Sequence, residues 1–248
     1  EIAAQAAMEL LVAYTERANF DVAEVWGRFA RMALGRLGDS GAPELSVFVQ
    51  TRLGSLARAR GDFDAAEREL AVAHERAKAL DSPRPLAVVL SAQGEVALER
   101  SENAKGKALL QQSLEILREE LGLDHPEVAV VGETLALAHM RSGEPEEAEA
   151  LLQEGIRIHR ITSGEEHPVY ARALNNLGAL RLQQRRWADA RDLLQQAVAI
   201  RERAGGVDSP DTADFRESLA LALTNLGEYE EALKIDREVL RVLEKNRG

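Results

Sequence analysis

The chain has 248 residues, 45% of them hydrophobic but only 4% aromatic, and a formal charge of −11 with no cysteine. Nucleic-acid binding needs a basic stripe to displace phosphate counterions, and no Lys/Arg-rich block is present. No stretch approaches the roughly 18 apolar residues of a membrane span, and without cysteine there is neither a disulfide framework nor thiolate chemistry.

Ala, Leu, Glu, Arg and Gln dominate, the strongest helix formers, and period-two runs of β-branched residues are missing. An all-α chain is expected. The opening "EIAAQAAMELL" already lies inside a helical pattern and reads as part of a longer polypeptide. Taken in order, the elements fall into pairs. The first pair carries Leu10-Leu11, then Phe20 and Ala23. The second has Leu53-Gly54 and the turn "ARGDFDAAEREL" (59–70), and the third has Gln93-Gly94 with Asn103 and Gly106. Leu135-Ala136 precedes "RSGEPEEAEALL" (141–152), Leu177-Gly178 precedes "QRRWADARDLL" (184–194), and Leu219-Ala220 precedes "NLGEYEEALKI" (225–235). The small-position markers, with Leu11 in a weaker first copy, stand at 11, 54, 94, 136, 178 and 220, at intervals of 43, 40, 42, 42 and 42. Such self-similarity signals a repeat architecture. The connections "LGLDHPEVA" (121–129), "SGEEHPVYA" (163–171) and "GVDSPDTA" (206–213) place Gly for a left-handed C-cap. They then place His or Ser as N-cap before Pro at N1.

These residues resemble the tetratricopeptide repeat family, and the 42-residue period with "ALNNLG" and His-Pro punctuation is similar to its kinesin-light-chain-like subclass. The small residues at repeat positions 8 and 20 are Gly54/Ala66, Gly94/Gly106, Ala136/Ala148, Gly178/Ala190 and Ala220/Ala232; the large residue at position 17 is Phe20, Phe63, Trp187 or Tyr229, with Asn103 and Pro145 as departures. The resemblance implies a right-handed α-solenoid of six helix-turn-helix repeats, approximately 4–43, 44–84, 85–125, 126–167, 168–209 and 210–248, forming one domain. Gln93, Asn103 and Gly106 mark the third repeat as the loosest joint. In bacteria such arrays accompany kinase, protease or nucleotide-binding signalling domains, and a cytoplasmic location is expected.

Catalytic motifs are missing. "NAKGKALL" (103–110) lacks the first glycine of a phosphate loop, and "AHERA" (73–77) supplies one His of a metal pair. His125 and His167 read as helix caps rather than metal ligands, and His74, His139 and His159 as surface or groove residues without visible partners. No enzyme activity, cofactor or metal is expected.

The resemblance directs positions 2, 5, 6, 9, 12 and 13 of each first helix to a concave groove. Its expected peptide-binding residues are Arg52, Arg58, Arg141, Arg172, Asn175, Asn176, Leu182 and Asn225. The amides of Asn175 and Asn176 would donate to and accept from an extended backbone. The set that clamps a C-terminal carboxylate in some family members is incomplete here, the nearest match being Ser91, Glu95, Thr134, Arg172 and Asn176. The expected function is a non-catalytic scaffold for a protein or peptide partner, with no nucleic acid and no membrane. The alternative is a structural spacer or self-associating homodimer domain with an empty groove.

Overall fold

The computed structural model describes residues 1–38, 41–206 and 209–247; Val207 and Asp208 of the last connection lie outside them. Twelve helices and no strand occur among the described residues. They are α1 (Ile2–Glu16), α2 (Phe20–Gly35), α3 (Pro43–Ala59), α4 (Phe63–Lys78), α5 (Arg84–Glu99), α6 (Asn103–Leu121), α7 (Pro126–Ser142), α8 (Pro145–Thr162), α9 (Pro168–Gln183), α10 (Trp187–Gly205), α11 (Pro210–Leu226) and α12 (Tyr229–Arg247). The chain divides into two compact units, Glu1–Leu123 and Asp124–Gly248, each holding three helix pairs. The result is an all-α tandem-repeat fold.

Each pair closes through a turn residue with positive φ, and the six stand in register: Ala18, Gly61, Ser101, Gly143, Arg185 and Gly227. Beyond the turn, in the second to fifth pairs, a leucine 16 residues after the small marker fills the space that marker leaves. A Cβ on Gly54 would lie 2.7 Å from Leu70, one on Gly94 2.7 Å from Leu110 and one on Gly178 2.8 Å from Leu194. Leu70, Leu110, Leu152 and Leu194 are all buried, so this contact is the recurring core of the hairpin.

The first pair departs from the expected pattern. Its marker position holds Leu11, and the small partner has moved to α2, where a Cβ on Gly27 would lie 2.5 Å from Leu53 and 3.7 Å from Leu11. Large and small residues have exchanged helices, which preserves the packed volume. The third pair is not loosely packed: a Cβ on Gly106 would lie 2.7 Å from Leu98 and 3.1 Å from the Gly94 carbonyl. Gln93 Oε1 meets His74 Nδ1 at 3.1 Å.

His125 and His167 cap α7 and α9, each Nδ1 accepting from the backbone N–H two residues on at 3.2 Å. Gly122 and Gly206 have positive φ as expected, yet ψ near 166° and 161° replaces the left-handed value. That extended region with positive φ belongs almost to glycine alone.

Candidate peptide-binding surface

Within the first unit α1 touches α3 and α3 touches α5; within the second, α7 touches α9 and α9 touches α11. The first helices of each unit therefore stand side by side, and equal repeat positions fall into rows across them.

In the second unit, positions 2, 6, 9 and 13 face solvent on each first helix, the i, i+4, i+7, i+11 stripe of one helix face. Position 2 holds Val130, Arg172 and Asp214; position 6 holds Thr134, Asn176 and Ser218. Position 9 holds Leu137, Ala179 and Leu221, and position 13 holds Arg141, Gln183 and Asn225. Leu137 is 41% and Leu221 53% exposed, and these two side chains flank the short Ala179. The position-6 row supplies hydroxyls and an amide alongside.

Beneath that face lies Glu133, at position 5 of α7 and only 4% exposed. His159 Nε2 donates to its Oε1 at 2.9 Å, Asn176 Nδ2 donates to its Oε2 at 3.4 Å, and Arg172 approaches the same oxygen at 3.4 Å. Gly155 on α8 makes room: a Cβ there would lie 3.2 Å from Glu133 Cγ and Oε1. Asn175 Oδ1 and His159 Nδ1 are buried without a partner. His159 is thus an internal residue and not the surface or groove residue expected from sequence. A buried cation, Arg181, grips Glu149 and reaches Gln184 Oε1 at 2.7 Å. Hydrogen bonding from Arg181 holds the Glu149 carboxyl below its ordinary range against the opposing effect of burial.

The first unit presents a different surface. Arg58 pairs with Glu95 at 2.9 Å and with Glu99, so both its sides are taken by acids of the next repeat. Burial nonetheless pushes the Glu95 carboxyl above its ordinary range; Arg58 and Arg52 oppose the shift and Glu99 adds to it. Arg52 itself is exposed.

Of the expected groove residues, Arg141, Arg172 and Asn176 stand on the outward stripe of the second unit. Asn225 stands there too, its Nδ2 returning to the Leu221 carbonyl at 2.8 Å. Leu182 packs against the cluster of Leu194, Leu219 and Leu223. Sequence reasoning missed the roles of Glu133 and His159 as a pair. The legible signal was a helical glycine, Gly155, four residues before His159 with no turn to make. Among the described residues no group of three or more His, Cys, Asp or Glu side chains is arranged to hold a metal ion. No described helix is long and apolar enough to cross a membrane.

Helix pairs in fixed register with ranked first-helix faces define a helical-repeat protein. The tetratricopeptide repeat model matches residues 85–161, 131–203 and 169–245, and the chain belongs to the tetratricopeptide repeat family. Proteins of this family generally mediate protein–protein interaction. A search of curated proteins returns no match. Solved structures with the same fold include kinesin-light-chain-like repeat proteins. BtubC (BKLC) from P. vanneervenii has a TM-score of 0.75 at 21% identity, over 100% of this chain and 94% of that one. The putative kinesin light chain repeats of Podospora anserina give 0.67 at 23% identity, over 82% of this chain and 97% of that one. The signal-transduction ATPase with a tetratricopeptide repeat sensor from Pyrococcus horikoshii gives 0.69 at 14% identity, over 99% of this chain but 36% of that one.

Proposed function

We propose that the chain is a non-catalytic interaction module whose second unit binds an extended segment of a protein partner across α7, α9 and α11. The observation that carries this reading is the ordered stripe on those helices. Two exposed leucines flank Ala179, suited to one apolar side chain, and a row of hydrogen-bonding groups runs beside them. Asn176 donates inward to Glu133 and keeps its Oδ1 for the outside, so it offers an acceptor to a backbone N–H. The cytoplasm and a larger signalling protein are the setting that goes with this reading; the signal-transduction ATPase carries such repeats as its sensor. Fluorescence polarisation with a labelled peptide library, comparing wild type with an Asn175→Ala/Asn176→Ala variant, tests it. The variant is expected to bind about tenfold more weakly, the equivalent of one well-placed hydrogen bond; equal binding removes the two asparagines from the site.

One observation favours self-association as a second reading. On α12, Leu233, Leu240 and Leu243 are exposed on one flank together with Tyr229, an apolar stripe of the kind that marks interaction sites. Light scattering over a range of concentrations checks it: a dimer lost in Leu240→Glu supports this reading, and a monomer throughout removes it.

A further inference from the structure

We infer that the patch around Arg172 and Asn176 selects an extended segment carrying an acidic side chain, and that Glu133 is the positioning residue that turns both groups toward it. The inference rests on the peptide-binding reading and adds the chemistry of the ligand.

Glu133 is the centre of the argument because a carboxylate only accepts hydrogen bonds. Asn176 can approach it in one orientation, Nδ2 inward and Oδ1 outward. A freely rotating amide would offer either edge; this one is held with Nδ2 toward Glu133, which leaves Oδ1 as its acceptor and only the second N–H as a donor. The orientation is held from below as well. His159 Nε2–H fixes Oε1 of Glu133 at 2.9 Å, which leaves Oε2 for Asn176 and Arg172. Gly155 removes the methyl group that would crowd the carboxylate aside.

Arg172 is the other half. Its side chain is 46% exposed, and its contact with Glu133 is a long 3.4 Å, so the guanidinium keeps donors for a ligand. Arg141, at position 13 of α7, is exposed and makes no ion pair among the described residues. Eleven residues of register separate positions 2 and 13, about 16 Å along parallel helices. Two cations therefore stand along the α7–α9 side of the surface, while Asp214 and Glu217 stand on α11. An acidic residue of the ligand is directed to the α7–α9 side. The formal charge of −11 does not reverse this, because exposed charges beyond about 8 Å are largely screened at physiological salt.

The test uses the 248-residue chain and three fluorescein-labelled dodecapeptide pools. Each alternates leucine with a second residue drawn from Asp/Glu, Ser/Gln or Lys/Arg. Polarisation is expected to show the acidic pool binding about tenfold more tightly than the Ser/Gln pool, with most of the difference lost in Arg172→Ala. Binding of no pool overturns the peptide-binding reading itself. Binding with equal strength, or with preference for the basic pool, overturns the acidic assignment and leaves peptide binding standing. The tightest acidic peptide is then N-methylated one residue at a time. In the wild type one position is expected to lose about tenfold, marking the N–H given to Asn176. In Glu133→Gln the new amide both donates and accepts, Asn176 is free to turn over, and the penalty at that position is expected to fall below about threefold. A full penalty in Glu133→Gln, with circular dichroism showing the variant folded, overturns the positioning role.

Discussion

In the unit Glu1–Leu123 one arginine of α3, Arg58, is enclosed by its own chain between Glu95 and Glu99, while Arg52 on the same helix stays exposed. In the unit Asp124–Gly248 the arrangement is inverted. There the acid, Glu133, is buried and held by His159, and the cation Arg172 is the exposed member of the pair. The two units thus carry two electrostatic designs at different repeat positions. In one, Arg58 and the acids of the next repeat neutralise each other at the surface. In the other, a buried acid fixes polar groups whose free edges face out. The two arrangements differ in the depth at which the acid sits.

The sharpest way to break this contrast is to remove the support of the buried acid. His159→Ala is expected to destabilise the second unit by about 3 kcal/mol, since it leaves the Glu133 carboxyl buried without its closest partner. Arg58→Ala removes a pair that is partly open to water and is expected to change stability by no more than about 1 kcal/mol. Urea unfolding of the two variants beside wild type measures both. Equal losses would abolish the distinction between the units.

Acid titration sharpens the comparison with opposite signs. Arg181 depresses the Glu149 carboxyl below its unfolded value near 4.5. Its contribution is therefore present above that value and lost as pH falls through the lower folded value. Arg181→Ala should flatten this loss as well as lower stability. Glu95 is raised by burial from the same ordinary value. Its contribution is complete below the unfolded value and declines as pH rises through the raised folded one, because the native state holds its proton longer. Glu95→Gln is expected to remove that decline. Stability differences between each variant and wild type, followed by chemical denaturation from pH 3 to pH 7, check both signs.

Much of the architecture was legible because it repeats. Intervals of 40 to 43 residues between small-residue markers mapped onto six hairpins, and His125 and His167 capped their helices as their His-Pro context implied. Exchanges across a pair were harder to see. Leu11 reads as a missing small residue until Gly27 is found opposite it, and only packing shows that one compensates for the other. The surface was legible as rows but not as depth. Asn176 was expected to face a ligand with both edges of its amide; one of its N–H groups goes instead to Glu133, 43 residues away. His159 lies 26 residues from the same carboxyl, a spacing that has meaning only once α7 and α8 are folded together. Partners that lie across helices are set by three-dimensional contact, which a one-dimensional period does not encode.

The smallest expected effect concerns the hairpin turns, where both units mix glycine with residues ill suited to positive φ. Ala18 in the first unit has φ of 53° and Arg185 in the second has 58°, whereas Gly61, Gly143 and Gly227 hold the equivalent places. A non-glycine residue there is strained by roughly 1 kcal/mol through the clash of Cβ with backbone. Replacing it with glycine relieves the strain but returns conformational freedom to the unfolded chain, which offsets part of the gain. Ala18→Gly and Arg185→Gly are each expected to stabilise by about 0.5 kcal/mol, and Gly143→Ala to destabilise by about 1 kcal/mol. Thermal melts of the three variants separate these outcomes. A gain at Arg185 matched by none at Ala18 would mean that the two units differ in their turns as well as in the charges on their surfaces.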